Sequence, residues 1–232
     1  MSFKDPSKLD NLSNHIGLFW REARRSALNA GVPPDLRLLL FCIRDIPYGR
    51  PSDFIDGSSV VSEWVGTCSG KHVLVCELLR ALDLSPKMMM RGYQVSGGSV
   101  TEKLVPAATS LRFWDVHNFV LCDFGRGEVR IDITWPVICM SAGFTTTSDW
   151  NPGTHFRLAC PEGTDREIQP TKEGLRAKSD LLDILNRTSA EREAREKFIA
   201  ALAESVSTLV PRVSMREGIA GTIRHMHQSV DY

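Results

Sequence analysis

The apolar residues of this 232-residue chain change their spacing near residue 85, from the period of a helix to the period of a strand. Before that point, Leu74, Leu78 and Leu82 follow one another at intervals of four, and neighbouring apolar residues widen this stripe into a broad helical face. After it, residues 87–95 are predicted as a strand that is weakened at Gly92. Helices followed by strands are typical of an α+β domain, and the sequence therefore predicts that fold class.

Two further helices are predicted upstream. Apolar residues of segment 11–30 recur at spacings of three and four until Gly31, which indicates an amphipathic helix. A pair of prolines before Asp35 marks the start of a second, strongly apolar helix, and Pro47 must end it because proline cannot continue a helix. Residues 51–66 are then predicted as a loop.

The second half of the chain contains the signals of a hairpin. Segments 116–122 and 128–133 are predicted strands, and the glycines between them suit a tight turn. Residues 96–99 have the composition of a loop. The segment 136–170 is rich in Gly, Pro, Ser and Thr, which predicts irregular chain with at most one short strand at 156–159.

A C-terminal helix is predicted after Thr188, because Thr188 and Glu191 have the spacing of a capping box and an apolar stripe follows them. Residues beyond Pro211 are predicted as a tail. We accordingly divide the chain into a main domain at 1–180 and, at 181–232, a C-terminal helix and tail that pack on this domain or extend from it.

Composition argues against several classes of partner. The chain is 42% apolar and 24% charged, and its basic and acidic residues balance to a formal net charge of zero. Such a chain has no general attraction for nucleic acid or for an anionic membrane. No signal segment begins the sequence, and no stretch reaches the roughly 18 apolar residues that span a bilayer. We expect a soluble cytoplasmic protein with no nucleic-acid or membrane partner.

The six cysteines are scattered without C-x-x-C spacing, so neither a disulfide framework nor a metal site is predicted. Cys68 stands apart because it begins the helix described first, and Gly66 is expected to let the chain turn tightly before it. The N-terminus of a helix lowers the pKa of a thiol, and its free N–H groups bind an oxyanion. A lone cysteine there is more often a core residue, so its candidacy as a nucleophile depends on partners. Core positions are expected for Cys42, Cys76, Cys122, Cys139 and Cys160.

Suitable partners lie on the two arms of the predicted hairpin. A cysteine nucleophile needs a base, and the base needs an acceptor that holds its other ring nitrogen. His117 and Asp132 fall on neighbouring antiparallel strands, where side chains on one face come within hydrogen-bonding distance. Asp132 also lies in an otherwise apolar strand, where a carboxylate requires a partner. We predict a catalytic triad of Cys68, His117 and Asp132.

At this point the chain resembles the transglutaminase-like superfamily. Residues 66–71 (Gly-Thr-Cys-Ser-Gly-Lys) with 78–82 (Leu-Leu-Arg-Ala-Leu) are similar to its nucleophile helix, and 131–135 (Ile-Asp-Ile-Thr-Trp) to its Asp-x-Thr-Trp strand. The strand with 117–119 (His-Asn-Phe) falls between them. Upstream, 44–48 (Arg-Asp-Ile-Pro-Tyr) resembles the end of the helix that precedes the nucleophile.

The resemblance covers roughly residues 36–136 and implies a papain-like core. In this fold the nucleophile helix packs on an antiparallel sheet, here with added N- and C-terminal helices, and residues 1–180 would form the catalytic domain. The chain departs from the family pattern in two places: the usual His-x-Trp is His-Asn-Phe at 117–119, and the usual Leu-Gly is Leu-Asp at 82–83. Both departures bear on the substrate class more than on the chemistry.

The implied activity is cysteine-dependent acyl transfer. Cys68 would form a thioester with a peptide, protein or small-molecule amide, including the side-chain amide of glutamine, while His117 moves the proton and Asp132 orients the imidazole. No metal or organic cofactor is implied. Hydrolysis is slightly favoured over transamidation, which uses the same residues. One alternative is an amide-forming acyltransferase in small-molecule or peptide biosynthesis, and another is a non-catalytic binding module, which would be expected to have lost a triad member.

Four residues near the triad in sequence are candidates for substrate binding: Trp64, Thr67, Trp114 and Trp135. Packing alone would equally explain the tryptophans. His72 lies four residues past Cys68 and is expected to be a packing or surface residue, not a second base. His225 and His227 are a weak metal pair because they have no cysteine or carboxylate partner. The methionines at 88–90 are expected in the core.

Overall fold

Four antiparallel strands form the sheet of the computed structural model, which describes residues 6–53, 56–95, 112–151 and 153–228. The strands are β1 (Lys87–Val95), β2 (Phe113–Asp123), β3 (Glu128–Ile131) and β4 (Thr164–Ile168). Their order across the sheet is β3-β2-β1-β4, and every neighbouring pair is antiparallel. β1 and β2 therefore occupy the centre of the sheet.

Seven α-helices surround the sheet within the described ranges. They are α1 (His15–Asn29), α2 (Leu36–Arg44), α3 (Gly57–Glu63), α4 (Cys68–Ala81), α5 (Lys172–Leu185), α6 (Ser189–Leu209) and α7 (Met215–Gln228). Two 3-10 segments, Pro6–Asn11 and Val137–Ala142, complete the regular structure of these ranges. The chain is thus an α+β protein.

Side-chain caps define where several helices begin. Asn14, Asp35 and Thr67 accept hydrogen bonds from the backbone N–H groups three residues ahead, at the starts of α1, α2 and α4. Each cap satisfies one of the donors that a helix N-terminus leaves free. The capping box of Thr188 and Glu191 is formed at the start of α6. The predicted starts of α2, α4 and α6 are confirmed, whereas α1 begins four residues later than the segment 11–30 predicted.

The core has two parts, one on each face of the sheet. Side chains alternate between the faces of a strand, so Val116 and Val120 of β2 point toward α4 and join the larger cluster with α1 and α2. Phe113 points the other way and packs against Phe198 of α6, with ring centroids 5.4 Å apart. The start of α4 and the middle of β2 meet where the two parts adjoin.

Several predictions of elements are confirmed. Helices occur at 15–29, 36–44 and 68–81, β1 has the predicted bounds 87–95, and the predicted hairpin is the β2–β3 pair. β2 begins three residues earlier than predicted, and β3 ends at Ile131, so Asp132 follows the strand directly. The loop predicted at 96–99 lies outside the described residues.

Three predictions were wrong. The supposed loop at 51–66 contains α3, which Asp56 caps and which buries Val60. No strand forms at 156–159; the strand of that region is β4, which pairs with the outer edge of β1. The supposed tail after Pro211 contains α7, whose Ile219 and Ile223 are buried against α1 and α2. A helix was also missed at α5, which continues across the division drawn between residues 180 and 181.

Candidate active site

Cys68 is the first residue of α4, and its approach is fixed by a backbone bridge. Gly66 pairs with Tyr48 in an isolated parallel bridge, two residues before the cysteine. A Cβ atom at Gly66 would lie 3.0 Å from the Cγ of Lys71, tighter than ordinary van der Waals contact. The glycine therefore leaves room for the side chains of Lys71 and Val60, which pack closely against it, and its φ is not positive.

His117 and Asp132 are brought together by the β2–β3 hairpin. The Nε2 of His117 lies 2.8 Å from the Oδ2 of Asp132. That carboxylate is buried and accepts further hydrogen bonds from the Ala159 N–H at 2.7 Å and from the Thr134 hydroxyl at 2.8 Å. Since Nε2 is engaged with Asp132, Nδ1 is the nitrogen left to face the sulfur of Cys68. The carboxylate is thus held rigidly behind the imidazole.

The electrostatics of this pair favour the ionised forms. Burial alone would lower the pKa of His117. The charge and hydrogen bond of Asp132, together with the hydrogen bond between His117 and Cys68, nevertheless raise the pKa of His117 well above the ordinary value. Burial alone would likewise raise the pKa of Asp132, but His117 and the Ala159 N–H lower it below its usual range. The imidazole therefore has an anionic partner at each ring nitrogen.

The sulfur of Cys68 is surrounded by groups that stabilise a thiolate. Burial raises the pKa of the thiol, but the ammonium of Lys178, the imidazole of His117 and the Asn118 N–H outweigh burial and lower it to about 6. Lys178 Nζ lies 3.6 Å from the sulfur. At neutral pH the thiolate form of this cysteine is consequently favoured.

Lys178 is the site residue that the sequence did not reveal. It projects from α5 and donates to the Asn118 Oδ1 at 2.8 Å and to the Ser69 hydroxyl at 3.1 Å. Ser69 in turn donates to the same Asn118 oxygen at 2.9 Å. Lys178 is separated from Cys68 by 110 residues, and no local motif marks it. Only the tertiary packing of α5 brings it to the sulfur.

His72 is a fully buried structural residue. Its Nδ1 lies 2.6 Å from the carbonyl oxygen of Cys68, and its Nε2 lies 3.2 Å from the Ile133 N–H, which donates to it. Nε2 is therefore an acceptor and Nδ1 the donor. Burial lowers the pKa of His72 to about 4, so the ring is neutral at pH 7. It links Cys68 to the segment that carries Asp132, in agreement with the packing role expected for it.

Lys71 makes a second such link beneath α4. Its ammonium is fully buried and donates to the carbonyl oxygens of Arg44 at 2.8 Å and Thr134 at 3.0 Å. Burial lowers the pKa of Lys71 to about 7, although Asp45 acts in the opposite direction. Three chain segments, namely the end of α2, the first turn of α4 and the residues after β3, are thereby fastened to one another.

Two spaces adjoin Cys68. A small space of about 30 Å³ lies against His117 and Trp135, and a cleft of about 520 Å³ lies between the start of α4, α5 and α6. Tyr48 lines both. Among the described residues its hydroxyl makes no hydrogen bond, which leaves one polar group beside the sulfur ready to receive a ligand.

The four candidate substrate residues have different surroundings. Thr67 lines the large cleft and Trp135 lines the small space. Trp64 is 1% exposed and packs against Phe19 of α1, so the structure does not bring it to either space. The backbone of Trp114 is held by Asn186, through hydrogen bonds of 2.8 and 2.9 Å, and Trp114 lines neither space.

The remaining candidates lie elsewhere. His225 and His227 are on α7, where His227 approaches the carbonyl of Ala30 at 2.6 Å, and no cluster of three possible metal ligands occurs in the ranges described above. Met88 and Met90 are in the core. All six cysteines are free thiols. Within the same ranges, none of the helices has the length and apolar character needed to cross a membrane.

The geometry described above can support nucleophilic attack by a thiolate, with a histidine and a carboxylate to manage the proton. Neither a family model, nor a curated protein, nor a solved structure matches this chain.

Proposed function

We propose that this protein is a cysteine-dependent acyl-transfer enzyme, with Cys68 as nucleophile, His117 as general base and acid, and Asp132 as the residue that orients the imidazole. One observation carries the proposal. The thiol at the start of α4 has a pKa of about 6 and contacts an imidazole whose far nitrogen bonds a buried carboxylate at 2.8 Å. A merely structural cysteine has no need of that arrangement.

The first half of the reaction follows from these groups. The Cys68 thiolate attacks the carbonyl carbon of an amide, and the carbonyl electron pair moves to oxygen. The tetrahedral intermediate then collapses as the imidazolium of His117 gives its proton to the leaving nitrogen. The amine departs, the acyl group remains on sulfur as a thioester, and His117 is left neutral.

The second half returns the enzyme to its starting state. Neutral His117 takes a proton from water or from an acceptor amine as that molecule attacks the thioester. Collapse of the second tetrahedral intermediate releases an acid or a new amide, and the thiolate and imidazolium are restored. Asp132 stays ionised throughout. It stabilises the imidazolium and keeps the ring oriented.

The negative oxygen of each intermediate needs hydrogen-bond donors. The free N–H groups at the start of α4 supply them, assisted by the positive end of the helix dipole. The hydroxyl of Tyr48 is our candidate for a second donor, since it lines both spaces beside the sulfur and is not engaged in the described part of the chain.

We also propose that the fold is papain-like and related to the transglutaminase-like superfamily. The support lies in the order of the three residues along the chain and in their locations: a helix start, a central strand and the end of the next strand. An antiparallel sheet next to the nucleophile helix agrees with this relation.

The proposed function is tested with Cys68→Ala. The protein is incubated with a panel of peptide amides and thioesters, with and without an added amine, and its intact mass is measured. We expect an acyl adduct on the wild type and on the matched control Cys160→Ala, and none on Cys68→Ala. Circular dichroism should be unchanged, since the substitution removes one atom at a helix start. Persistence of an adduct on Cys68→Ala, or its loss from the control alone, would refute the assignment.

A further inference from the structure

The cleft that opens on Cys68 is rich in positive charge. Its walls come from the start of α4, from α5, from α6 and from the chain after α2. The charged side chains that line it are five cations and two carboxylates: Arg50, Lys172, Arg176, Lys178, Arg195, Asp115 and Glu196. This excess contrasts with the formal net charge of zero for the whole chain, so the positive charge is concentrated at the site.

Both carboxylates of the cleft are engaged by a single cation. Arg195 Nε donates to Asp115 at 2.9 Å, and Arg195 Nη1 donates to Glu196 at 2.7 Å. Tyr93 also donates to Asp115, at 3.0 Å. Lys172 lies 3.5 Å from Asp53, outside the cleft. Both carboxylates of the lining are therefore paired with Arg195, which also lines the cleft, and the other cations of the lining are in excess.

Arg176 is the cation in this lining that forms no ion pair among the described residues, and the carboxylate of Glu173, which lies one turn earlier on α5 and outside the lining, acts on it from beyond ion-pair distance. Arg176 is exposed on α5, and within the described ranges it takes part in no ion pair or hydrogen bond. Arg50, across the cleft, is only loosely paired, with 3.9 Å between its Nη2 and a Glu196 oxygen. Lys178 is already occupied by Asn118 and Ser69, so it contributes charge but has little capacity for a new ligand.

We infer that the cleft selects acyl substrates that carry a carboxylate near the reacting carbonyl, with Arg176 as the principal contact and Arg50 as a second one. The guanidinium of an arginine bonds both oxygens of a carboxylate at once. A cleft of about 520 Å³ has the volume of an ordinary ligand site, and its concentrated positive charge attracts an anion from solution. This inference rests on the proposed function, because it names the substrate class of that site.

The test uses two alkylating agents that differ in charge. Iodoacetate and iodoacetamide attack the same sulfur and have nearly the same size, so the ratio of their rates at Cys68 is insensitive to the thiolate fraction. The ratio is measured by peptide mass spectrometry and divided by the ratio for 2-mercaptoethanol, a neutral thiol. We expect the normalised ratio to be about 3 to 10 at low ionic strength and to fall toward one in high salt.

Two arginine variants make the test specific. Arg176→Gln should at least halve the normalised ratio. Arg80→Gln is the matched control, because Arg80 is also an exposed helical arginine, but it lies at the far end of α4, about 18 Å along the helix from Cys68. The control should leave the ratio unchanged. An equal fall in both variants would contradict a specific role for Arg176.

A second arm identifies the source of the carboxylate. Two peptide chloromethyl ketones are compared that differ only in having Glu or Gln beside the reactive group. A faster reaction of the Glu peptide, again reduced by Arg176→Gln, would support an acidic peptide as substrate. Discrimination with iodoacetate but not with the peptides would support a small carboxylate-bearing amide.

Failure of this inference is distinct from failure of the proposed function. Rapid alkylation of Cys68 by both small agents, with a normalised ratio near one, would overturn the selection of anions and leave the activated nucleophile intact. Slow alkylation of Cys68 by both agents, at rates no greater than those of 2-mercaptoethanol, would show that Cys68 is not an activated nucleophile. That result would refute both the proposed function and this inference.

Discussion

The ammonium of Lys178 lies 3.6 Å from the sulfur of Cys68, and the two residues are separated by 110 positions in the chain. The charge of Lys178 is the largest single cause that lowers the pKa of this thiol, and His117 lowers it further through both a hydrogen bond and its charge. The acidity of the thiol at the start of α4 therefore depends in part on a residue of α5.

Replacing Lys178 should weaken the thiolate. In Lys178→Gln the pKa of Cys68 should rise by about one pH unit, because a nearby positive charge is lost while burial remains. The pKa is measured from the pH dependence of iodoacetamide alkylation. Lys87→Gln is the control: Lys87 is an exposed lysine that pairs with Glu128, and its loss should leave the curve in place. Identical curves for wild type and Lys178→Gln would exclude this contribution.

Labelling should single out Cys68 in the wild type. Its alkylation rate should rise with pH around a midpoint of about 6 and change little above neutrality. Burial raises the pKa of Cys76 to about 12 and that of Cys139 to about 11, and it also raises the pKa of Cys160. Peptide mass spectrometry at pH 7 should thus find Cys68 modified first. Comparable labelling of Cys160 would argue against an activated thiol.

Neutralising Asp132 should slow acylation without unfolding the protein. Asp132→Asn keeps the shape of the side chain but removes the charge that stabilises the imidazolium. The acylation rate should therefore fall by a factor of about tens to thousands. Asp123→Asn is the control. Asp123 accepts three backbone hydrogen bonds in the hairpin turn, and an asparagine oxygen can accept them too. Equal kinetics of the two variants would reduce the site to a Cys–His pair.

The same carboxylate should make stability depend on pH. The pKa of Asp132 is lower in the folded chain than its ordinary value of 3.8, so its contribution is present above that value and is lost as the pH falls toward the folded pKa. His117 is protonated in both states over this window. Between pH 5 and 3, urea unfolding should show a loss of stability that is about 1 kcal/mol larger in the wild type than in Asp132→Asn. Parallel curves would contradict the argument.

The hydroxyl of Tyr48 should act in the transition state. Tyr48→Phe should lower the acylation rate by about 10- to 100-fold and leave the pKa of Cys68 near 6, since one oxyanion donor is lost. Tyr93→Phe is the matched control, because that hydroxyl is already bound to Asp115 and should matter less. A larger fall in the acylation rate of Tyr93→Phe than of Tyr48→Phe would contradict the assignment of Tyr48 as an oxyanion donor.

Local patterns were sufficient for the elements that carry the proposed triad. A helix beginning at Cys68 and a hairpin bearing His117 follow from apolar spacing and turn residues, which act over a few positions. The pair of helices around Thr188 and Ser214 is instructive. Both caps have the Ser/Thr-x-x-Glu spacing, and in both the glutamate accepts a hydrogen bond from the backbone N–H of the cap, yet a helix is predicted only after Thr188, and α7 forms where a tail is predicted.

The rest could not be predicted because it depends on contacts distant in sequence. The role of Lys178 arises when α5 packs against β2, and β4 is specified by its pairing with β1 and not by its own exposed residues. Trp64 illustrates how closeness in sequence differs from closeness in space. Its position four residues before Cys68 suggested a substrate wall, but the bridge between Gly66 and Tyr48 intervenes, and the indole packs against α1 and α7.

Asn118 joins three parts of the molecule at one residue. Its side-chain oxygen receives Lys178 and Ser69, while its backbone N–H faces the sulfur. The pKa of Cys68 therefore depends on whether α5 is docked against the sheet. In a denaturant titration, the ultraviolet absorbance of the thiolate would fall when α5 detaches, even while α4 and the sheet remain folded. One spectroscopic signal would thus separate local undocking from global unfolding.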